Sequence, residues 1–189
     1  MSIQATRFEL FKFDAIDLYH LLRLYLSCNL RKVRFLVAKE KSQTLSTPEK
    51  SVLDAWACSE PARHSLWQCA NILRSPYSFG IGNKTTDPVS YIAYSSAANV
   101  AWAFVTHCRS DGCHRHTTEY MRSMPESHLP ELMALHLAPN RDVLDRWLRS
   151  GELATIYGIP LCKCRRDDLM AKFRARFPRG TGWASAFAL

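Results

Sequence analysis

Acid is scarce in this chain: 17 Asp and Glu stand against 25 Lys and Arg over 189 residues, a formal net charge of +8. That balance suits a polyanionic partner, either a nucleic acid or an acidic protein. No secretory leader is expected either. The opening MSIQATRFELFKFDAIDL has acids at Glu9, Asp14 and Asp17 and no basic stretch followed by an apolar core. With seven cysteines, an odd number, this predicts reduced thiols in a cytoplasmic protein, not a disulfide scaffold. There is no internal repeat and no low-complexity run, which sets aside repeat architectures. No heptad argues for a coiled-coil dimer. GIGN at 80–83 has no strand before it and no GK[ST] after it, so it is not a phosphate loop.

Two further absences bear on function. No Cys or Ser stands in a recognisable elbow or triad, so catalysis is not expected. No charge interrupts residues 88–108, PVSYIAYSSAANVAWAFVTHC, yet Ser90, Ser95, Ser96, Asn99, Thr106 and His107 dilute its apolar character. It reads as a buried helix at the centre of an N-terminal bundle, not as a membrane span.

What is there is uneven. Residues 1–50 carry nine Lys and Arg against five acids, residues 51–139 six against seven, and residues 140–189 ten against five. Residues 7–40 read as mostly helical, with Leu18, Leu21, Leu22, Tyr25 and Leu26 as an apolar stripe. RKVRFLV at 31–37 also fits a short strand. The basic run 31–41 reads as a solvated face or a second phosphate contact. Thr47-Pro48-Glu49 starts a helix that runs to about Leu73, with Ser59-Glu60-Pro61 as a breaking point. The aromatic set Trp56, Trp67, Tyr91, Tyr94 and Trp102 falls at helical spacing and reads as core. RSDGCHRHTTEY at 109–120 is a polar boundary.

Beyond that boundary come a helix over 126–137, a turn at 138–140 and a helix over 141–149. Two short alternating runs follow, ELATIY and LCKC, bent at Gly158-Ile159-Pro160. A last helix covers 166–177. Leu132, Leu137, Val143, Leu144, Trp147 and Leu148 supply an inner face, and Gly151 ends the helix before it.

NRDVLDRWLRSGEL at 140–153 and RRDDL at 165–169 resemble the excisionase-like and MerR-like winged helix-turn-helix family. The resemblance covers about 50 residues and implies a helix that enters the DNA major groove beside a two-stranded wing along the backbone. It places Asn140, Arg141, Asp142 and Arg146 near DNA, with Arg149, Lys163, Arg165 and Arg166 at phosphates. The expected fold is therefore mainly α. A helical bundle at 1–120 precedes a small winged helix-turn-helix at 121–179 with a two-stranded wing, then a tail at 180–189. The expected function is non-catalytic binding of duplex DNA, as a regulator or a recombination accessory factor. Asp142, Asp145 and the Ile-Pro-Leu wing tip leave a second reading open. That reading is a helical protein-binding module, of the immunity, anti-defence or adaptor kind, that docks on an acidic partner.

Cys and His are the ligands zinc prefers. HCRSDGCHRH at 107–116 therefore makes Cys108, Cys113, His114 and His116 candidate zinc ligands, with Cys162 and Cys164 as further donors. The C-x4-C-H-x-H spacing is not that of a standard finger, and no other cofactor is expected.

Overall fold

A computed structural model of the chain describes residues 3–74, 88–108, 130–135 and 141–176. The architecture is mainly helical: α1 (Ile3–Ser27), α2 (Leu30–Ser42), α3 (Thr47–Ala57), α4 (Glu60–Arg74), α5 (Pro88–His107), α6 (Arg141–Ser150) and α7 (Arg166–Arg176). A two-stranded antiparallel hairpin, β1 (Thr155–Ile156) and β2 (Ile159–Pro160), lies between α6 and α7 and is followed by a 3₁₀ turn (Lys163–Arg165). No helix among the described residues is long and apolar enough to cross a membrane.

The bundle forms around α5. Because α5 carries no charge and is rich in Ala, other helices pack closely on it. Ala93, Ala97, Ala98, Ala101 and Val105 are all fully buried. Helices α1 to α4 pack around it, and α7 joins them. The sequence places α5 correctly but misreads α1. The stripe that faces inward contains Asp17, Leu21, Leu24 and Cys28, while Leu18, Leu22, Tyr25 and Leu26 lie on the exposed side. The buried set follows i, i+4, i+7, i+11 spacing and tolerates Asp17 because Ser90 donates a 2.8 Å hydrogen bond to its carboxylate. RKVRFLV is helical, its start capped by Asn29, whose side chain accepts from the Lys32 amide at 3.0 Å. The cap of α3 is Ser46, one residue before Thr47, with its amide and hydroxyl both bonded to Glu49. Ser-Glu-Pro does break the chain, between α3 and α4.

The C-terminal part departs from expectation at three places. Residues 130–135 are not helical: Glu131 forms an isolated parallel bridge with Thr155, and a turn covers 132–135. The wing is shorter than ELATIY and LCKC suggest. Its register pairs Thr155 with Pro160 and Ile156 with Ile159, around a Tyr157–Gly158 turn in which both residues have positive φ (56° and 69°). Such a turn matches the natural twist of a two-residue hairpin, and its non-glycine residue is held by tertiary contacts. The Tyr157 hydroxyl donates to the Leu73 carbonyl at 3.2 Å, and the Glu131 carboxylate accepts from both turn amides and from the Thr155 hydroxyl. LCKC is therefore not a strand. It runs from a bend into the 3₁₀ turn, because the first paired residue after the turn is already Ile159.

The hairpin also faces inward, with all four strand residues buried. One hydrophobic cluster contains Leu24, Leu66 and Ala97 together with Leu132, Trp147, Ile156 and Phe173. The expected boundary at 109–120 and the tail at 180–189 lie outside the described residues, as do Leu137 and Asn140. Helix α6 is docked by Arg63 of α4, whose guanidinium donates to the Leu148 and Arg149 carbonyls at 2.6 and 3.3 Å. A cation there satisfies carbonyls that the helix end leaves open. Gly151 terminates α6 at φ +69° as expected, and a Cβ there would meet the same guanidinium at 3.0 Å.

His107 ties three helices at the end of α5. Its ring is buried, with Nδ1 2.7 Å from Asp54 of α3 and Nε2 2.8 Å from Glu40 of α2. Both contacts are hydrogen bonds only when both nitrogens carry hydrogen. Removing the ring strands two carboxylates that reach solvent only in part. His107→Ala is expected to cost about 2 kcal/mol, below the full penalty for a wholly buried pair. Urea unfolding at neutral pH measures it; a loss near zero would mean that the carboxylates rehydrate freely and the tie is unimportant.

Candidate nucleic-acid interface

Helix α6 is strongly two-sided. Leu144, Trp147 and Leu148 are buried, while Arg141, Asp142, Asp145, Arg146 and Arg149 are exposed. The Trp147 indole donates to the Glu152 carbonyl at 2.9 Å, which sets the helix's roll. Val143, expected inside, is exposed, since it lies between the Arg rows and not on the Leu144–Trp147–Leu148 face. Arg149 folds back, its Nε donating to the Asp145 carbonyl at 3.2 Å. Among the described residues, Arg141 and Arg146 have no carboxylate within ion-pair distance.

Lys163 and Arg165 are exposed on the 3₁₀ turn, so Lys163 does not sit on the wing. Arg165 pairs with Asp168 and Arg166 with Asp167, each at 3.0 Å. Both pairs are solvent-exposed contacts that contribute little to stability and exchange readily for another anion.

A second cationic group joins this one from the other end of the chain. Trp102 of α5 is half-buried, and two cations lie near its ring: Lys41 Nζ is 5.2 Å from the centroid and the Arg166 guanidinium 6.0 Å. Both are within cation–π range, although the Arg166 contact is at its limit. Arg174 of α7 is close enough to act on Lys41 electrostatically. Residues 41 and 166 are far apart in sequence, yet α2, α5 and α7 bring them to one aromatic ring. Trp102 itself rests edge-on against His107, with ring centroids 6.5 Å apart.

Residue patterns point to Arg166 as a phosphate contact and to 31–41 as a basic run, but they place Trp102 in the core and do not single out Arg174. A signal for Arg174 is visible in retrospect. Leu169, Met170 and Phe173 form the buried stripe of α7, and Arg166 and Arg174 flank it.

The zinc expectation is not assembled among the described residues, which contain no group of three or more ligands suited to a metal. Cys113, His114 and His116 lie outside them. Cys108 is half-buried, its thiol directed at the Leu161 carbonyl 3.8 Å away. Cys162 and Cys164 bring their sulfurs to 2.8 Å of each other. Comparison with protein-family models, curated proteins and solved structures found no match to the chain.

The position of Lys41 has an electrostatic cost. Burial, and secondarily the charge of Arg174, hold the Lys41 ammonium down from its ordinary 10.5 to about 8. The unfolded chain then binds this proton more tightly than the folded one. Lys41 therefore detracts fully from stability below pH 8, and that burden lifts as pH rises from 8 to 10.5. Titration of Lys41 by NMR is expected to give a midpoint near 8, moving upward in Arg174→Gln. A midpoint at the ordinary value would mean that the cations do not crowd one another.

Proposed function

We propose that the protein is a non-catalytic nucleic-acid-binding protein whose partner is duplex DNA. The observation that carries this reading is the meeting of the two basic ends of the chain at Trp102, where Lys41 and Arg166 lie beside one half-buried ring and Arg174 is close enough to act on Lys41. Cations concentrated in this way attract a polyanion, and a phosphate among them relieves their mutual repulsion. In this reading Lys41, Arg166 and Arg174 hold phosphates, Lys163 and Arg165 extend the contact, and the exposed face of α6 offers Arg141 and Arg146 to base edges. The inward hairpin makes backbone contact by a projecting wing a smaller part of the scheme than the family resemblance implies.

A second reading rests on a different surface. Leu18, Tyr19, Leu22, Tyr25 and Leu26 form an exposed apolar face on α1, with Leu26 82% accessible. A face of that kind suits a protein partner, in line with an adaptor or inhibitor role.

Fluorescence anisotropy with a duplex over a salt series tests the first reading. Binding is expected to weaken steeply between about 50 and 200 mM salt, and Lys41→Gln, Arg166→Gln and Arg174→Gln should each lower the salt slope by about one. Arg141→Ala and Arg146→Ala should instead relax sequence preference. No duplex binding at the lowest salt would reject DNA as the partner. A stoichiometric protein complex that survives nuclease and is lost in Leu22→Asp would establish the second reading.

A further inference from the structure

We propose that Cys162 and Cys164 form a reversible dithiol–disulfide pair that responds to peroxide and controls how Arg165 and Arg166 are presented. The two sulfurs are 2.8 Å apart. Two thiolates sharing one tetrahedral zinc stand about 3.8 Å apart, as follows from zinc–sulfur bonds of about 2.3 Å. A disulfide closes at about 2.05 Å. The observed separation is shorter than that spacing and lies on the approach to a sulfur–sulfur bond.

Access is asymmetric in a way that suits the chemistry. Cys164 is exposed and Cys162 is buried directly behind it. In the first step the Cys164 sulfur attacks peroxide. The oxygen–oxygen bond breaks, Cys164 becomes a sulfenic acid and one water leaves. In the second step Cys162 attacks the Cys164 sulfur. The sulfur–sulfur bond forms, the sulfenic hydroxyl leaves with the Cys162 proton as a second water, and the two thiols have lost the two electrons that reduce the peroxide. A thiol donor reverses the step by exchange. The buried Cys28 and Cys69 are poor competitors: burial pushes the Cys28 thiol up to about 11 and the Cys69 thiol well above its usual range.

The position of the pair gives oxidation a structural consequence. Cys162 caps the 3₁₀ turn, with its carbonyl accepting from the Arg165 amide at 3.1 Å. The Arg166 amide in turn bonds to the Lys163 carbonyl. Closing a ring across Cys162-Lys163-Cys164 requires this turn to tighten. The next two side chains are Arg165 and Arg166, and Arg166 lies beside Trp102. The consequence for binding rests on the nucleic-acid reading above; the thiol chemistry does not.

The test treats the full chain with hydrogen peroxide and maps the products. Trypsin cuts after Lys163, so the two cysteines fall on different peptides and a bond between them appears as a cross-linked pair lighter by two hydrogens. That pair is expected in the wild type, reversed by dithiothreitol and absent from Cys162→Ser, in which Cys164 accumulates as a dimedone-trapped sulfenic acid. Independent alkylation of both cysteines after peroxide would overturn the proposal, as would a co-purifying metal ion that is lost in Cys162→Ser. Oxidation is also expected to weaken duplex affinity about fivefold, the loss of one charge-assisted contact. Cross-linking with unchanged affinity would overturn the control of Arg165 and Arg166. Absence of duplex binding in both redox states would remove the nucleic-acid reading, and the cross-link would still decide the thiol pair.

Discussion

Three helices meet at one imidazole. His107 ends the uncharged helix α5 and places one nitrogen on Asp54 and the other on Glu40, so the C-terminal end of α2 and the middle of α3 are fixed to the same point. Neither carboxylate is deeply buried, but the ring between them is. The geometry of the cationic cluster follows from this arrangement. Glu40 is followed by Lys41, so anchoring the acid aims the next residue at Trp102. Trp102 precedes His107 by five residues on α5 and packs edge-on against it. The buried imidazole thus helps to set where Lys41 stands.

The C-terminal segment is joined to this frame by polar atoms at helix and turn ends. Arg63 satisfies the last carbonyls of α6, Tyr157 bonds to the end of α4, and the Tyr94 hydroxyl bonds to the Phe173 carbonyl of α7 at 3.3 Å. Each link spans residues more than 70 positions apart. With the apolar cluster continuous beneath them, helix α6 and the hairpin are part of the same packed body as the bundle. A hairpin whose four strand residues are all buried contributes to the core.

Much of this was legible from residue patterns. The capped start of α3, the break at Ser59-Glu60-Pro61, the buried character of α5, the limits of α6 and α7 and the glycine after α6 all depend on local chemistry that neighbouring residues carry. What was not legible depends on distant partners. Glu131 sits in a segment that reads as helix, yet its carboxylate is engaged by the hairpin turn more than 20 residues later. The apolar residues of α1 offer two stripes, and only the packing of α4 and α5 determines which is inside. Trp102 follows a core pattern on α5, and the cations beside it arrive from α2 and α7. Local periodicity gives a side chain's row on its helix, but not which element covers that row.

The cations around Trp102 differ in how they are balanced. Arg166, like Arg165 before it in the chain, has an exposed acid as a neighbour, in a pair that solvent weakens. Lys41 is different: its surroundings disfavour its charge, and Arg174 adds repulsion where a carboxylate would give relief. Lys41 is itself exposed, so the effect acts on the part of its stem and ammonium that lies against the neighbouring helices. Folding therefore holds the Lys41 charge in a disfavoured state that an anion beside it would improve. Were an anion to bind there, as proposed, the stability given up at this one residue would return as binding free energy, and that is how a ligand site would differ from a merely soluble basic face.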